Sequence, residues 1–490
     1  MKKRGPERSL LALALIVLML LCVGCAKKTD EGKIPITTSS DEARREFLQG
    51  RDLSDRLLVQ NSIQRFESAV AKDPNFALAY FNLAQVSPTA KRFFENLKKS
   101  VALADKVSEG ERLSILGFEA GVNGDPAKQK EYYDKLVVLY PGDERAHFAL
   151  GNYYIGQQEY ARAVEHYKKA TEIDSNFSPA YNSLGYAYRP MNNYAEAEKA
   201  FKKYTELIPN DPNPYDSYAE LLMKMGRFDE SVTYYEKALS QDPHFIGSHL
   251  GIAANLMFMG KPEEAEARLQ KLYDMARDEG EQRTALFVKT VHYVDGGKMD
   301  MALQEMEKQY TMAEKINDMA QMSGDLATKA AIVLELGKYD DALGMFEKST
   351  KLIEDSDLSQ AIKDNVKLVH HYNLAMVAMK KKDFKTSKAE AEEFGKGAEA
   401  MRSQTLIRQS HELGGMIALE EKQYDKALAE LQQVSQLNPY NLYRISLAYA
   451  GKGDKANAKE FCMRAARDNT LPTLNYAFIR SKAEKMLAKM

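Results

Sequence analysis

The sequence predicts an all-α fold built as an elongated array, not as one compact core. Three observations carry this. The chain has 490 residues, well beyond the ~250–300 residues at which a single core stops growing. Ala, Leu, Lys, Glu, Met and Tyr are abundant, Trp is absent, and runs of alternating Val, Ile and Thr are scarce, which favours helix over strand. Leu150-Gly151 and Leu184-Gly185 stand 34 residues apart, as do Tyr154 and Tyr188, Ala163 and Ala197, and Tyr167 and Phe201. Charge narrows the partner classes further. Lys and Arg number 68 against 70 Asp and Glu, a net −2. Lys2, Lys3, Arg4 and Arg8 against Glu7 give the first 24 residues +3, which leaves the rest at −5. A weakly acidic chain with no basic arm offers nucleic acid little, because phosphate contacts dominate that affinity.

Met1 to Arg8 is short and basic, and Leu10 to Leu21 is an unbroken apolar run of twelve residues, too short for a membrane-spanning helix of about 20. Gly24 precedes Cys25 directly, so residues 1–24 read as a secretory signal peptide. The segment resembles the lipobox of bacterial lipoproteins at Val23, Gly24 and Cys25, with Cys22 where Leu is usual and Leu21 one place further back. That resemblance implies cleavage before Cys25 and a lipid on its sulfur, so the Cys22–Cys25 pair is not expected to act as a redox dithiol. Ala26, where inner-membrane lipoproteins of enteric bacteria carry Asp, implies an outer-membrane anchor facing the periplasm. Residues 25–40, polar through Thr37-Thr38-Ser39-Ser40, are expected to form a flexible tether, because they cannot bury enough apolar surface to fold.

The 34-residue register holds for five units from 110 to 279. It reaches forward to Leu222, Ser231, Tyr235 and Pro243, and back to Leu116-Gly117, Tyr133 and Pro141. Large residues fall three and four apart, giving each helix one apolar stripe. Gly151, Gly185, Ala163, Ala197 and Ala265 are small where two helices would cross. Pro74, Pro141, Pro209, Pro243 and Pro439 are expected to end second helices, and Asn213-Pro214 to start a first helix as N-cap and first position. The pattern resembles the tetratricopeptide repeat, a helix-turn-helix unit. The resemblance implies a right-handed superhelix, an α-solenoid of about 10–12 repeats, because one helix pair cannot bury its stripe alone.

Arg44 to Pro74 and Tyr80 to Leu103 read as two earlier units, so the regular solenoid spans 41–279. Beyond it the small positions Ala302, Ala342, Ser387, Ala427 and Ala458 lie 40, 45, 40 and 31 apart, so residues 280–467 are expected to form irregular repeats with longer helices. Residues 468–490 read as a terminal cap, with Tyr476, Ile479, Ala483, Met486 and Met490 on one stripe.

The sequence offers no catalytic residue, metal site or cofactor motif. His370 and His371 are adjacent and point about 100° apart on a helix, with no His-Glu-x-x-His spacing beside them. Met299 to Met322 holds six methionines without tight Met-x-x-Met clustering apart from Met319 and Met322, and they read as core filler. Cys462 occupies a place where the repeat wants a large buried residue.

In tetratricopeptide proteins the first helices line a concave groove, with the second, fifth, ninth, twelfth and thirteenth places facing it. Carried onto this sequence, the resemblance implies Phe118, Phe148, Asn152, Ile155, Asn182, Tyr186, Arg189, Asp216, Glu220, Met223, Lys224, Leu250, Met257 and Phe258. Amides in such a groove suit a ligand backbone and aromatics suit its side chains. The expectation is a membrane-anchored, non-enzymatic scaffold that binds peptide segments or envelope proteins. The alternative is a surface lipoprotein that captures glycans or nutrients for an outer-membrane transporter, which the absence of Trp disfavours.

Overall fold

The computed structural model describes residues 32–490. The signal-like segment 1–24, Cys22, Cys25 and the start of the tether through residue 31 lie outside the described residues. Within them are 25 α-helices and no strand. The first 24 helices form twelve antiparallel pairs, each pair one repeat. Repeats 1 to 4 are α1 (Asp41–Asp55) with α2 (Val59–Lys72), α3 (Ala77–Gln85) with α4 (Ala90–Ala102), α5 (Glu109–Val122) with α6 (Pro126–Leu139), and α7 (Glu144–Gly156) with α8 (Tyr160–Ile173). Repeats 5 to 8 are α9 (Ser178–Tyr188) with α10 (Tyr194–Leu207), α11 (Asn213–Lys224) with α12 (Phe228–Gln241), α13 (Ile246–Phe258) with α14 (Pro262–Asp274), and α15 (Glu279–Asp295) with α16 (Met299–Lys315). Repeats 9 to 12 are α17 (Met319–Glu335) with α18 (Tyr339–Glu354), α19 (Gln360–Lys380) with α20 (Phe384–Ala400), α21 (Gln404–Glu420) with α22 (Tyr424–Leu431), and α23 (Pro439–Gly451) with α24 (Lys455–Ala466). A last helix, α25 (Leu474–Leu487), follows.

Local sequence sets these boundaries. Ser108 and Glu111 form a reciprocal capping box at the start of α5, satisfying two backbone donors that the helix leaves free. Asp143 accepts from the backbone N–H groups of Arg145 and Ala146 at the start of α7. Most turns inside repeats pass through one left-handed residue, a glycine at Gly226 and Gly260 (φ +76° and +74°), where glycine carries no conformational penalty, while Gln158, Asn192, Lys382 and Lys422 adopt the same conformation in other repeats. Pro74, Pro141, Pro209 and Pro243 each stand two residues after a second helix ends. Pro439 differs: it is the first residue of α23, with Asn438 as N-cap, a place where its missing N–H costs nothing. Asn213 is likewise not a cap but the first residue of α11, and its side chain accepts instead from the Tyr204 hydroxyl at 2.8 Å.

Helix crossings follow the small residues. The Tyr167 ring covers Gly151 so closely that an added Cβ would fall 2.5 Å from it, and Phe201 covers Gly185 in the same way. Ser231 and Ser387, at a place where most other repeats have Ala, are fully buried and donate to the Ala219 and Ala375 carbonyls at 2.7 and 2.9 Å. Helices α15 to α21 run 16 to 21 residues, whereas α22 has 8, so the lengthening ends at Glu420.

The right-handed superhelix is wound tightly enough for its turns to touch. Repeats 2, 3 and 4 meet repeats 9, 10 and 11: the Lys91 N–H donates to Asp318, Ser359 to Asn123, and Arg408 to the Gln157 carbonyl. Odd-numbered helices of neighbouring repeats pack on one another and form the inside of the curve. The expected flexible tether is corrected over residues 33–40, which form an extended strap against the repeats. The Ile34 N–H donates to Asp143, the Thr37 N–H to Glu111 and the Ser39 N–H to Asp73, while Lys33 pairs with Glu144. Carboxylates at three successive repeat starts supply the partners that an isolated polar segment lacks, and Ile34 and Ile36 settle against apolar clusters.

Candidate functional site

The inner face of repeats 1 to 5 encloses a cavity of about 870 Å³. Its floor comes from two places in each repeat, one turn apart on the odd helices: Phe47 and Arg51, Phe81 and Gln85, Ser114 and Phe118, Phe148 and Asn152, with Asn182 from the fifth. These are the fifth and ninth places of the register. Side chains four apart on a helix share a face, so neighbouring repeats bring these pairs into one surface. Phe118 meets Phe81 edge to face at 5.3 Å, and Phe148 meets Phe177 similarly at 5.4 Å. Asn152 is exposed toward the space and accepts from the Tyr167 hydroxyl at 2.6 Å.

Two further parts of the chain close this cavity. The strap supplies Lys33, Ile34, Pro35 and Ile36 along one wall. The carboxyl end of α1 supplies the other: Asp55 pairs with Arg145 of repeat 4, and Arg56 forks onto Asp211 at the start of repeat 6 with two bonds of 2.7 Å. Adjacent residues of the first repeat thus clasp the fourth and sixth.

The other groove positions expected from the sequence divide by location. Ile155 is half-buried against the core. Tyr186 donates to Glu220 at 2.7 Å, and Arg189 pairs with the same carboxylate at 2.7 Å, its guanidinium 5.1 Å from the Tyr186 ring. Asp216 is buried and accepts from the Ser248 hydroxyl at 2.7 Å. Burial, with Glu220 nearby, pushes its carboxyl up to about 7, against the pull of the Ser248 bond. Met223 is fully buried, and Lys224 pairs with Asp468 at 2.9 Å. Leu250 and Met257 pack into one small core, and Phe258 lies between Phe228 and Tyr476. Four of the fourteen, Phe118, Phe148, Asn152 and Asn182, therefore share the cavity, and the remainder serve packing or internal ion pairs. Sequence reasoning missed Phe47, Arg51, Phe81 and Gln85: a step of 34 back from Ser114 and Phe118 falls one residue short, at Tyr80 and Ala84, because repeats 2 and 3 are offset by one residue from the register.

A tetratricopeptide repeat profile matches residues 222–286, a TPR repeat profile matches 151–190, and another tetratricopeptide repeat profile matches 178–211 and 440–467. These segments of the chain are tetratricopeptide repeats. It is similar in structure to a tetratricopeptide repeat protein from Parabacteroides merdae, at 14% identity and a TM-score of 0.32, over 67% of this chain and 98% of that one. A thermophilic TPR protein of Thermus thermophilus aligns at 19% identity and TM-score 0.30, over 44% of this chain and 99% of that one. The Cut9–Hcn1 hetero-tetramer of APC/C aligns at 11% identity and TM-score 0.41, over 86% and 76% respectively. No curated protein matches the chain.

The chain occupies the later part of its own groove. Helix α25 covers α24 as a cap, but it also lies against α15 and α23. Arg480 forks onto Asp295, Lys482 pairs with Glu335 of α17, and Tyr476, Phe478, Ile479 and Ala483 are buried. Met490 falls beyond the helix end and is exposed, so the expected stripe stops at Met486. Among the described residues no cluster of His, Cys, Asp and Glu is arranged to hold a metal. His371 pairs with Glu390 at 2.6 Å, and Cys462 is fully buried with its thiol 3.3 Å from the Ala483 carbonyl. No helix of the described residues is long and apolar enough to cross a membrane.

Proposed function

We propose that the chain is a lipid-anchored scaffold of the bacterial envelope, outer-membrane and facing the periplasm, that holds an extended segment of a partner protein in the cavity of repeats 1 to 5. One observation supports this above the others: the fifth and ninth places of successive repeats converge on a single cavity of about 870 Å³ lined by aromatics and amides. Apolar side chains give an extended chain its anchors and amides meet its backbone, the usual division of labour in peptide recognition. The later groove is filled by α25, so partner binding falls to the first five repeats. A photo-crosslinking residue at Phe118 is expected to yield protein adducts in envelope extracts, and one at Phe258, under α25, is expected to yield none. Equal yields at the two positions, or none at Phe118, would remove the cavity from the binding role.

The anchor rests on the basic head, apolar run and Gly24-Cys25 junction of the sequence. Replacing Cys25→Ala is expected to move the protein from membrane to soluble fractions. If the variant stays with the membrane, the lipid on Cys25 is not its anchor.

A further inference from the structure

The cavity is not electrostatically neutral. Three carboxylates and four cationic side chains stand in its wall. Every carboxylate is already engaged: Asp55 by Arg145, Glu144 by Lys33, and Asp143 by the N–H groups of Ile34, Arg145 and Ala146. Two of the four cations, Lys33 and Arg145, are spent on those carboxylates. Of the other two, Arg44 donates to the Ile36 carbonyl at 2.9 Å. Arg51 has no hydrogen bond or ion pair among the described residues. Its guanidinium lies 5.6 Å from the Phe47 ring centre, and Phe47, Phe81, Phe118 and Phe148 line the same space.

A guanidinium carries five donors in a planar fork that matches a carboxylate. Leaving it half-buried without an anion is costly, and a ligand that brings one recovers a charge-assisted bond. Burial and the neighbouring Arg145 push Arg51 down to about 10, against the pull of the more distant Asp55, Glu144 and Asp143 carboxylates, none of which bonds it, and it is still charged near neutral pH. The strap already satisfies the carboxylates at the repeat starts, so a second chain in the cavity meets aromatics, amides and this one unmatched cation.

We infer that the segment held in the cavity carries an acidic side chain, flanked by apolar residues, whose carboxylate is received by Arg51. This rests on the cavity as the peptide site and adds the chemistry of what it selects. A neutral peptide forfeits the bond to Arg51, and a basic one is repelled by it.

The test pans a display library of random peptides against the folded protein, with the Arg51→Gln and Arg51→Lys variants panned in parallel. Wild type is expected to enrich peptides with one Asp or Glu between aromatic or aliphatic residues. Changing that acid to its amide is expected to weaken binding about tenfold, the scale of a charge-assisted bond. Arg51→Gln is expected to lose the acid preference while still enriching apolar peptides, and Arg51→Lys to keep most of it. Apolar enrichment with no acid preference, or the same preference in Arg51→Gln, overturns the role of Arg51 and leaves the peptide site standing. Failure to enrich any peptide overturns both. If dodecanoate binds the wild type and not Arg51→Gln while no peptide is enriched, the site belongs to a free organic acid and the peptide assignment is wrong. Arg51 makes no ion pair, so these variants are expected to fold, and an unchanged helical signal on melting checks this.

Discussion

At the scale of single residues, position within the repeat decides whether a polar group binds outward or inward. Asp216 occupies a place expected to face a ligand, yet it is buried beneath Ser248 and beside Glu220. Its folded pKa of about 7 lies above the ordinary 3.8. The stabilisation linked to its protonated form is therefore fully present below 3.8 and is lost as pH rises through about 7. Ionising it costs up to about 4 kcal/mol of folding stability. Asp216→Asn is expected to remove that loss: denaturation at about pH 5 and about pH 8 should show a smaller decline than in the wild type. A variant whose decline matches the wild type would mean that Asp216 is ionised in the folded protein without penalty. Gly151 and Gly185 were legible as crossing residues because a repeat of 34 places them opposite Tyr167 and Phe201, and that contact is set by the register alone. The Asp216 network was not legible. It joins repeats 5, 6 and 7 through side chains whose rotamers no spacing specifies.

At the scale of elements, periodicity finds helices but not where a helix or a strap goes once it leaves its own repeat. The Thr-Thr-Ser-Ser run reads as tether because it has no apolar stripe, and only the fold brings Asp73 and Glu111 alongside it, with Asp143 beside Ile34. Helix α25 shows the converse. Its stripe correctly announced a buried face, but its second face, with Ala477 and Phe478 also buried, answers to α15 nearly two hundred residues earlier. That docking hangs on Arg480, whose partner Asp295 is 8% exposed and makes a 2.6 Å bond to it. Removing one side of such a pair leaves a charge buried and unmatched, at a cost of about 3 kcal/mol. Arg480→Ala is therefore expected to loosen 474–487 selectively, read as faster amide hydrogen exchange there while α1 to α8 keep theirs. Unaltered protection over 474–487 would assign the docking to the apolar face alone.

At the scale of the whole molecule, a repeat array is ordinarily one-dimensional: each unit meets its neighbours, and stability is a sum of local terms. This chain adds contacts between turns, with repeats 2, 3 and 4 touching 9, 10 and 11. The clasp adds Asp55 to Arg145 and Arg56 to Asp211. Loop closure grows only slowly more expensive with length, so bonds across 155 residues are affordable once intervening repeats hold their curvature. The clasp should therefore set the diameter of the first turn and the width of the cavity beneath it. Asp211 is only 5% exposed while Arg56 is about one-third exposed, so the carboxylate is the side that suffers when the pair is cut. Replacing Arg56→Ala and Arg145→Ala together is expected to open that turn with its helices intact. Solution scattering should record a larger radius of gyration at unchanged helical content, and denaturant unfolding should broaden as repeats 1 to 6 uncouple. Sodium chloride at about 1 M should reproduce the expansion only partly in the wild type, because screening reaches exposed charges more than buried ones. If scattering and unfolding are both unmoved in the double variant, repeat-to-repeat packing alone fixes the curvature, and the clasp merely follows it.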